Sequence, residues 1–385
     1  MQYFIFTIGL IVFLLFPKAF LVFYFIFKYY NKYPLDNIFS RIFEWIMFFY
    51  ISILLSIMLA NRPYYVGVNI GYGDDMLHYY NAFSWVGSTT LIEFFTDFNR
   101  VTQLTGSAEP LFWIVVKIIT LFVEDGFYIH CFITFLGCLI IYISGQIWSK
   151  SGLLFIFLYT NTITFFAFQG SAIRSGLAFA VALLGYVIFT KYKKSLIQFL
   201  APFIHFSMIP MPIINYAGFF NNFTIKNKIY IAIISITSIF FFIFLSKNSL
   251  ESGLGAKISS RLSESLTDTS SIFQFILESF FTIIIILIYR RRIDNNPLVK
   301  SFLIFFVVCL IVLALSPTAF SRFYRYEYIF MILIYTNLFV NSSRFMKAFV
   351  LLVSFGWLIF IAETRYVGVF SNNILEFLSL NAFAF

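Results

Sequence analysis

Apolar residues gather into long runs, which polar and basic stretches separate along almost the whole chain. About 20 helical residues cross the ~30 Å hydrocarbon core of a bilayer, and most of the runs have about that length. The pattern predicts an all-α, polytopic integral membrane helical bundle of roughly 10–12 spans. The runs cover residues 3–27, 42–60, 111–123, 127–148, 152–168, 171–190, 196–216, 229–246, 272–289, 300–316, 323–341 and 345–362.

Two of these runs are too irregular to be simple spans. The run 111–123 would be only about 20 Å long as a helix, which predicts a partial dip into the membrane. Three prolines interrupt the stretch 195–220, which begins and ends near lysines: Pro202, Pro210 and Pro212. It predicts a re-entrant pair of half-helices with His205 near the turn, since broken backbone at membrane depth must be buried in protein or line a cavity. The alternative is that one lysine pair departs from the positive-inside rule.

Basic residues between the runs predict the orientation of the chain in the membrane. The clearest cytoplasmic markers are Lys28, Lys32, Lys191, Lys193, Lys194, Arg290, Arg291, Arg292, Arg344 and Lys347. With these inside, the N-terminus is external, and so are the regions 61–108, 169–174, 247–271 and 317–322.

Neither a fixed-period repeat nor a flexible linker divides the sequence, so we expect a single integral membrane domain over residues 1–385. Residues 1–27 lack the basic start and cleavage site of a signal peptide and are expected to form the first span. The external loop 61–108 is predicted to hold a short interfacial helix within residues 85–98. The second external loop, 247–271, has the polar composition of a mobile surface loop.

Composition excludes a soluble protein. Hydrophobic residues make up 61% of the chain, charged residues 11%, and the mean hydropathy is +0.91. The net charge of +9 falls mainly in loops between spans, so it indicates topology and not nucleic-acid binding. The three cysteines lie in apolar segments, which predicts neither a disulfide framework nor a metal site.

Two ionisable residues stand out inside apolar segments. Arg174 lies near the start of a span among small residues, where close helix packing is possible. An arginine at the centre of a bilayer costs about 2.5–3.5 kcal/mol on insertion scales, so we expect Arg174 near the surface or in a wet cavity. His205 is either a buried histidine satisfied by a helix partner or part of a functional site.

The other charged residues on the predicted external side have plain structural explanations. Arg62 can extend its charged end to the interface, and Asp74 with Asp75 fits a solvated loop better than a metal site. Glu109 precedes Pro110 at the start of an apolar run, which favours a helix-capping role.

Arg322 and Arg325 are three residues apart and share one face of a helix. Arg325 could pair with Glu327 or Asp75 in a structural ion-pair network. Alternatively, the two arginines and Arg174 could bind a pyrophosphate or another polyanion, since guanidinium groups hold phosphate oxygens bidentately.

Taken in order, these segments resemble the EpsG-like and Wzy-like polysaccharide polymerases of bacterial surface-glycan assembly. The motifs are Arg62, GDDMLHY at 73–79, EPLF at 109–112, RSGLA at 174–178, HFS at 205–207 and RFYRY at 322–326. They are similar to the family's external arginine, G-x-D-x-x-x-Y, E-P-x-F, R-Q-G-L-A, H-F-S and R-x-x-x-Y. The resemblance covers roughly residues 40 to 345, and it departs at Ser175, where the family often has Gln.

This resemblance implies a GT-C-like membrane glycosyltransferase at the outer face of the bacterial cytoplasmic membrane. It would transfer a growing glycan from undecaprenyl pyrophosphate to a hydroxyl of an incoming lipid-linked repeat unit, making O-antigen, capsule or exopolysaccharide. Arg174, Arg322 and Arg325 would bind the pyrophosphate, and His205 or, second, Asp75 would be the base or orienting group. The residues expected to shape the substrate site are Arg62, Asp74, His78, Tyr79, Glu109 and Tyr324.

The implied chemistry agrees with the residues. Cleavage of a sugar–pyrophosphate bond develops negative charge, which fixed arginines stabilise most where water is scarce. If arginines carry that charge, no metal or cofactor is needed, and we expect metal-independence. A separate membrane protein is expected to control glycan length, and no nucleic-acid partner is expected.

Other functions remain open. A flippase or transporter of the same lipid-linked glycan would also use broken helices and intramembrane arginines, although inverted repeats would then be typical. An O-antigen ligase or a polyprenyl-phosphate-sugar glycosyltransferase could share the architecture but use a different acceptor or donor.

Overall fold

The computed structural model describes residues 11–30, 38–61, 75–106, 109–192, 196–219, 269–288, 297–316, 319–320, 323–341, 343–361 and 378. Within these ranges the regular elements are helices, and no strand occurs. The first ten are α1 Pro17–Tyr30, α2 Ile38–Ala60, α3 Asp75–Ser88, α4 Leu91–Thr96, α5 Asn99–Thr105, α6 Pro110–Thr120, α7 Gly126–Ser149, α8 Gly152–Thr160, α9 Ile163–Phe166 and α10 Ile173–Tyr192. The others are α11 Ala201–Ile204, α12 Pro210–Phe219, α13 Thr269–Ile288, α14 Pro297–Leu315, α15 Tyr328–Asn341 and α16 Arg344–Ile361.

The described helices confirm an all-α polytopic membrane protein. Four of them are long and apolar enough to cross a bilayer, namely Arg41–Ala60 within α2, α7, α10 and α14, and a bent pair makes a possible fifth. Shorter apolar helices occur at Pro17–Ile26, Pro110–Thr120 and Gln274–Ile288. The predicted run 229–246 and most of the predicted loop 247–271 lie outside the described residues.

The predicted run 152–168 does not form one straight helix. Its residues form α8 and a second segment, Ile163–Ser171, which meet at 82°. Thr162 starts the second segment as an N-cap, accepting a hydrogen bond from the Phe165 N–H at 3.1 Å. The buried Lys18 ammonium donates to the Thr160 carbonyl at 2.9 Å, where α8 ends. Both sides of the break therefore have hydrogen-bond partners inside the bundle.

The run 111–123 is short, as predicted, and forms the 11-residue helix α6. It packs beside α3, with the Tyr79 ring centroid 6.1 Å from those of Phe112 and Trp113. Further along, the buried Lys117 ammonium donates to two carbonyls at the end of α3, Val86 O at 2.7 Å and Thr89 O at 2.5 Å. Helix α6 thereby fixes α3, which carries Tyr79.

The described part of the predicted loop 61–108 is largely helical, as α3, α4 and α5. Residues 85–98 divide between α3 and α4 at Thr90, which forms a capping box with Glu93. The hydrogen bond from the Thr90 N–H lowers the pKa of the Glu93 carboxyl below its ordinary value. Helix α4 exposes Leu91, Ile92 and Phe95. Its location at a membrane interface stays a prediction.

Residues 196–219 form the hairpin predicted over 195–220, and its re-entrant position in the membrane stays a prediction. Its two arms lie side by side, with Asn215 Nδ2 donating to Gln198 Oε1 at 3.2 Å. Gly185 of α10 permits the first arm to approach closely, since a Cβ there would lie 2.5 Å from the Gln198 nitrogen. The returning arm packs Tyr216 against Phe189, near the end of α10, with ring centroids 4.6 Å apart. The segment thus ends at the same end of α10 at which it began.

Candidate active site

The first buried cluster joins three of the predicted site residues. Arg174, at the start of α10, donates from Nη1 to Glu109 Oε2 at 2.5 Å and from Nε to the Tyr79 hydroxyl at 2.6 Å. The guanidinium carbon also lies 5.2 Å from the Tyr79 ring centroid. Arg174 and Glu109 are each 6% exposed. This arrangement is a buried ion pair whose two charges compensate each other.

The capping role expected for Glu109 is wrong. Glu109 occupies the N-cap of α6 with φ −78° and ψ 108°, but its side chain makes no capping hydrogen bond. Pro110 follows it at the first helical position, where the lack of an N–H leaves no intrahelical bond unmade. The carboxylate is therefore available to Arg174. Capping rules use only neighbouring residues and so could not predict this distant partner.

A π-helical turn, Ala167–Ser171, leads into α10 just before Arg174. The Gln169 side chain is fully buried between Gly137 of α7 and Gly176 of α10. These glycines make room for it, since a Cβ on either would lie 2.7 Å from the Gln169 amide group. His130 Nε2 is 2.7 Å from the Gln169 carbonyl oxygen and ties the turn to α7. π-Helical turns occur frequently at functional sites. This one lies beside Arg174 and, through Phe168, beside Tyr326 of the second cluster.

The second cluster is a chain of polar groups at the tip of the hairpin. His205 ends α11 in an extended conformation, φ −154° and ψ 121°, and its Nδ1 lies 2.5 Å from Ser207 Oγ. Ser207 Oγ in turn lies 2.7 Å from the Tyr326 hydroxyl. The Tyr326 ring packs against Phe168 of the π-helical turn, with centroids 5.1 Å apart. The hairpin tip and the late 3₁₀ turn, Tyr324–Glu327, therefore meet next to the start of α10.

Arg325 belongs to this late turn and is half-buried. Its guanidinium carbon lies 6.0 Å from the Tyr324 ring centroid, and its Nε is buried without a hydrogen-bond partner. In the described part of the chain no carboxylate forms an ion pair with Arg325. The predicted pairing with Glu327 is not formed, since Glu327 accepts instead from Ser279 Oγ at 2.7 Å.

A third cluster, which the sequence analysis missed, attaches the turn to α13. Gln274 Oε1 accepts from the Tyr324 hydroxyl at 3.2 Å, and Glu278 accepts from the Tyr328 hydroxyl. With the Ser279–Glu327 contact, α13 holds the turn through Gln274 and Ser279, while Glu278 holds Tyr328, the first residue of α15. Gln274, Glu278 and Thr282 recur every four residues in an otherwise apolar helix, which is a signal that could have revealed the polar face.

Two of the remaining predicted site residues lie on α3, and three lie outside the described residues. His78 is an exposed residue of α3, and Asp75 is the first residue of that helix. Arg62, Asp74 and Arg322 lie outside the described residues. Among the residues that the structure does describe, no group of three or more His, Cys, Asp or Glu could hold a metal ion. Metal-independence stays a prediction.

The fold and these clusters define a polytopic membrane protein with a polar site buried among broken helices. The EpsG family model matches residues 63–378, which include all three clusters, and the chain belongs to that family.

Two relatives carry the name EPS I polysaccharide export inner membrane protein EpsF. The protein from Ralstonia nicotianae (strain ATCC BAA-1114 / GMI1000) is 24% identical over 351 residues, covering 80% of this chain and 78% of the relative. The Ralstonia solanacearum protein is 21% identical over 340 residues, with the same coverage. No solved structure gives a significant match.

Proposed function

We propose that this protein polymerises undecaprenyl-pyrophosphate-linked oligosaccharide repeat units into a surface polysaccharide at the bacterial cytoplasmic membrane. The observation that carries the proposal is the late turn, where the half-buried Arg325 directly precedes Tyr326 of the His205–Ser207–Tyr326 chain. Membership of the EpsG family and the names of the two EpsF relatives support exopolysaccharide as the product class and the inner membrane as the location.

In this reaction the growing glycan is the donor. The bond between its reducing-end sugar and pyrophosphate breaks, while a hydroxyl of the incoming repeat unit forms the new glycosidic bond. Arg325 stabilises the negative charge that develops on the departing pyrophosphate, because a guanidinium group donates charge-assisted hydrogen bonds to phosphate oxygens. Arg322, three residues earlier, is expected to act with it.

Arg174 has a different environment from Arg325, because Glu109 compensates its charge. Its Nε and Nη1 atoms are occupied by Tyr79 and Glu109, so we assign it mainly to shaping the site. Arg62, Asp74, His78, Tyr79 and Glu109 remain proposed substrate-binding residues. The acceptor hydroxyl requires a base or orienting group within hydrogen-bond reach, and His205 and Asp75 are the candidates.

The proposal places the site toward the outer face of the membrane and requires neither metal nor cofactor. A separate membrane protein is proposed to regulate chain length. The name of the two relatives includes the word export, so a flippase of the lipid-linked glycan is the second candidate function.

A complementation experiment tests the proposal. A deletion strain receives the wild-type protein, Arg325→Ala or Arg344→Ala at matched membrane levels, and glycan length is observed as a ladder on a gel. Arg344 is an exposed arginine at the start of α16 and provides the matched control. We expect ladders with the wild type and Arg344→Ala, and a single repeat unit with Arg325→Ala. A normal ladder from Arg325→Ala would contradict the proposed site.

A second experiment separates polymerase from flippase. The purified protein in detergent is given lipid-linked repeat units, and a polymerase lengthens them although no membrane separates two compartments. Unchanged glycan length here, combined with altered transbilayer movement of substrate in vesicles, would favour the flippase.

A further inference from the structure

The hydrogen bonds around His205 favour one position for the proton on its ring. The Ser207 backbone N–H donates to His205 Nδ1 at 3.3 Å, which identifies Nδ1 as an acceptor. The Ser207 hydroxyl, 2.5 Å from the same nitrogen, must then donate to it as well. Since a neutral imidazole has one N–H, its proton is on Nε2.

Tyr326 supports the same arrangement. Because the Ser207 hydroxyl donates to His205, its oxygen accepts at 2.7 Å from the Tyr326 hydroxyl. Tyr326 is buried, and the 3₁₀ turn that carries it is attached to α13 on both sides, through Tyr324 and Glu327. The donor chain therefore runs from Tyr326 through Ser207 to Nδ1, and it begins on a fixed element.

We propose that His205 donates a hydrogen bond from Nε2 to an oxygen of the sugar–pyrophosphate, with Ser207 and Tyr326 as positioning residues that maintain this tautomer. The identity of the acceptor oxygen rests on the proposed function. To accept a proton at Nε2, a neutral His205 would need its own proton on Nδ1. The Nδ1–H would then point at two other donors, the N–H and the hydroxyl of Ser207. His205 thus orients and stabilises without taking up the proton of the acceptor hydroxyl, for which Asp75 remains the candidate base.

Two substitutions of His205 distinguish a donor from a base. Glutamine places an amide N–H near the position of Nε2, whereas asparagine reaches only the position of Nδ1. We expect His205→Gln to elongate glycans within about tenfold of the wild-type rate, which corresponds to the loss of about one ordinary hydrogen bond. His205→Asn is expected to lose on the order of 10²-fold, as with removal of one donor to a developing negative charge. Equal inactivity of both variants would overturn the proposal.

A spectroscopic measurement tests the tautomer without using activity. The protein contains three histidines, so the ¹⁵N signals of histidine-labelled protein that disappear in His205→Gln belong to His205. We expect an unprotonated Nδ1 and a protonated Nε2, and we expect Ser207→Ala and Tyr326→Phe to shift the Nδ1 signal. A proton on Nδ1 in the wild type would overturn the inference.

Tyr159→Phe is the matched control for Tyr326→Phe, since it removes the hydroxyl of another buried tyrosine outside the chain. It should leave the His205 signals and the elongation rate unchanged. If wild-type protein elongates no glycan, the proposed function fails, while the ¹⁵N spectra still decide whether His205 has the inferred tautomer.

Discussion

Arg174 and Arg325 are both arginines next to polar side chains inside the bundle, but their surroundings differ. Arg174 is buried against Glu109 and Tyr79, so it is part of a compensated pair. Arg325 has no ion-pair partner among the described residues, and the turn that carries it is attached to α13 by its neighbours. Burial with a partner is typical of a structural role, whereas a cation without an ion pair among the described residues is suited to an anionic ligand.

The largest expected effect concerns the stability of the compensated pair. Arg174→Met leaves the Glu109 carboxylate buried without its cation, and breaking such a pair costs about 3–5 kcal/mol of unfolding free energy. Arg325→Met should change that free energy by less than about 1 kcal/mol, since no ion pair within the described residues is lost. Unfolding in mixed detergent micelles measures both. Equal destabilisation by the two variants would remove the distinction between the arginines.

A double replacement sharpens this contrast. Glu109→Leu combined with Arg174→Met removes both charges, so no uncompensated charge remains buried. We expect the double variant to be more stable than either single variant, with an interaction free energy of about 2–3 kcal/mol between the sites. Additive losses in the same unfolding assay would mean that the pair contributes no coupling.

Weakening the attachment of the 3₁₀ turn to α13 should have an effect of intermediate size, which is expected on the elongation rate. Ser279→Ala removes the hydrogen bond to Glu327, and a loss of about 1–1.5 kcal/mol corresponds to an elongation rate lowered about five- to tenfold. Thr282→Val is the control on the same helix, because Thr282 Oγ1 lies 3.0 Å from the hydroxyl of Tyr335, beyond the turn. A similar rate loss in both variants would show that α13 acts through general stability and not through the turn.

The sequence predicted the elements whose signals are local. Prolines and flanking lysines indicated the hairpin around His205, and the length of the run after Glu109 indicated the short helix α6. The break at Asn161–Thr162 was missed because apolar residues continue on both sides of it, and the pair of polar residues is a weak signal within a membrane segment.

The site was harder to predict, because its contacts join distant parts of the chain. Glu109 meets Arg174, 65 residues later, so a rule based on neighbouring residues assigned it to capping. Gln274 and Ser279 meet the turn at separations of 50 and 48 residues, and polar residues in an apolar helix gave no indication of their partners. Motif order suggested which segments to consider together, but only tertiary packing showed that Glu109 forms the ion pair with Arg174.

The smallest expected effect comes from metal removal. This experiment tests whether arginine alone stabilises the negative charge on the departing pyrophosphate. Divalent ions would be required if Arg325 and Arg322 neutralised too little of the pyrophosphate charge, since metal ions stabilise such charge in many phosphoryl-transfer sites. A fixed guanidinium in a low-dielectric environment can provide that stabilisation itself. We therefore expect purified protein to retain its full elongation rate in excess chelator, with Arg325→Lys slower under both conditions because lysine lacks the bidentate geometry. Loss of rate in chelator that a divalent ion restores would show that Arg325 is only part of the charge-stabilising machinery.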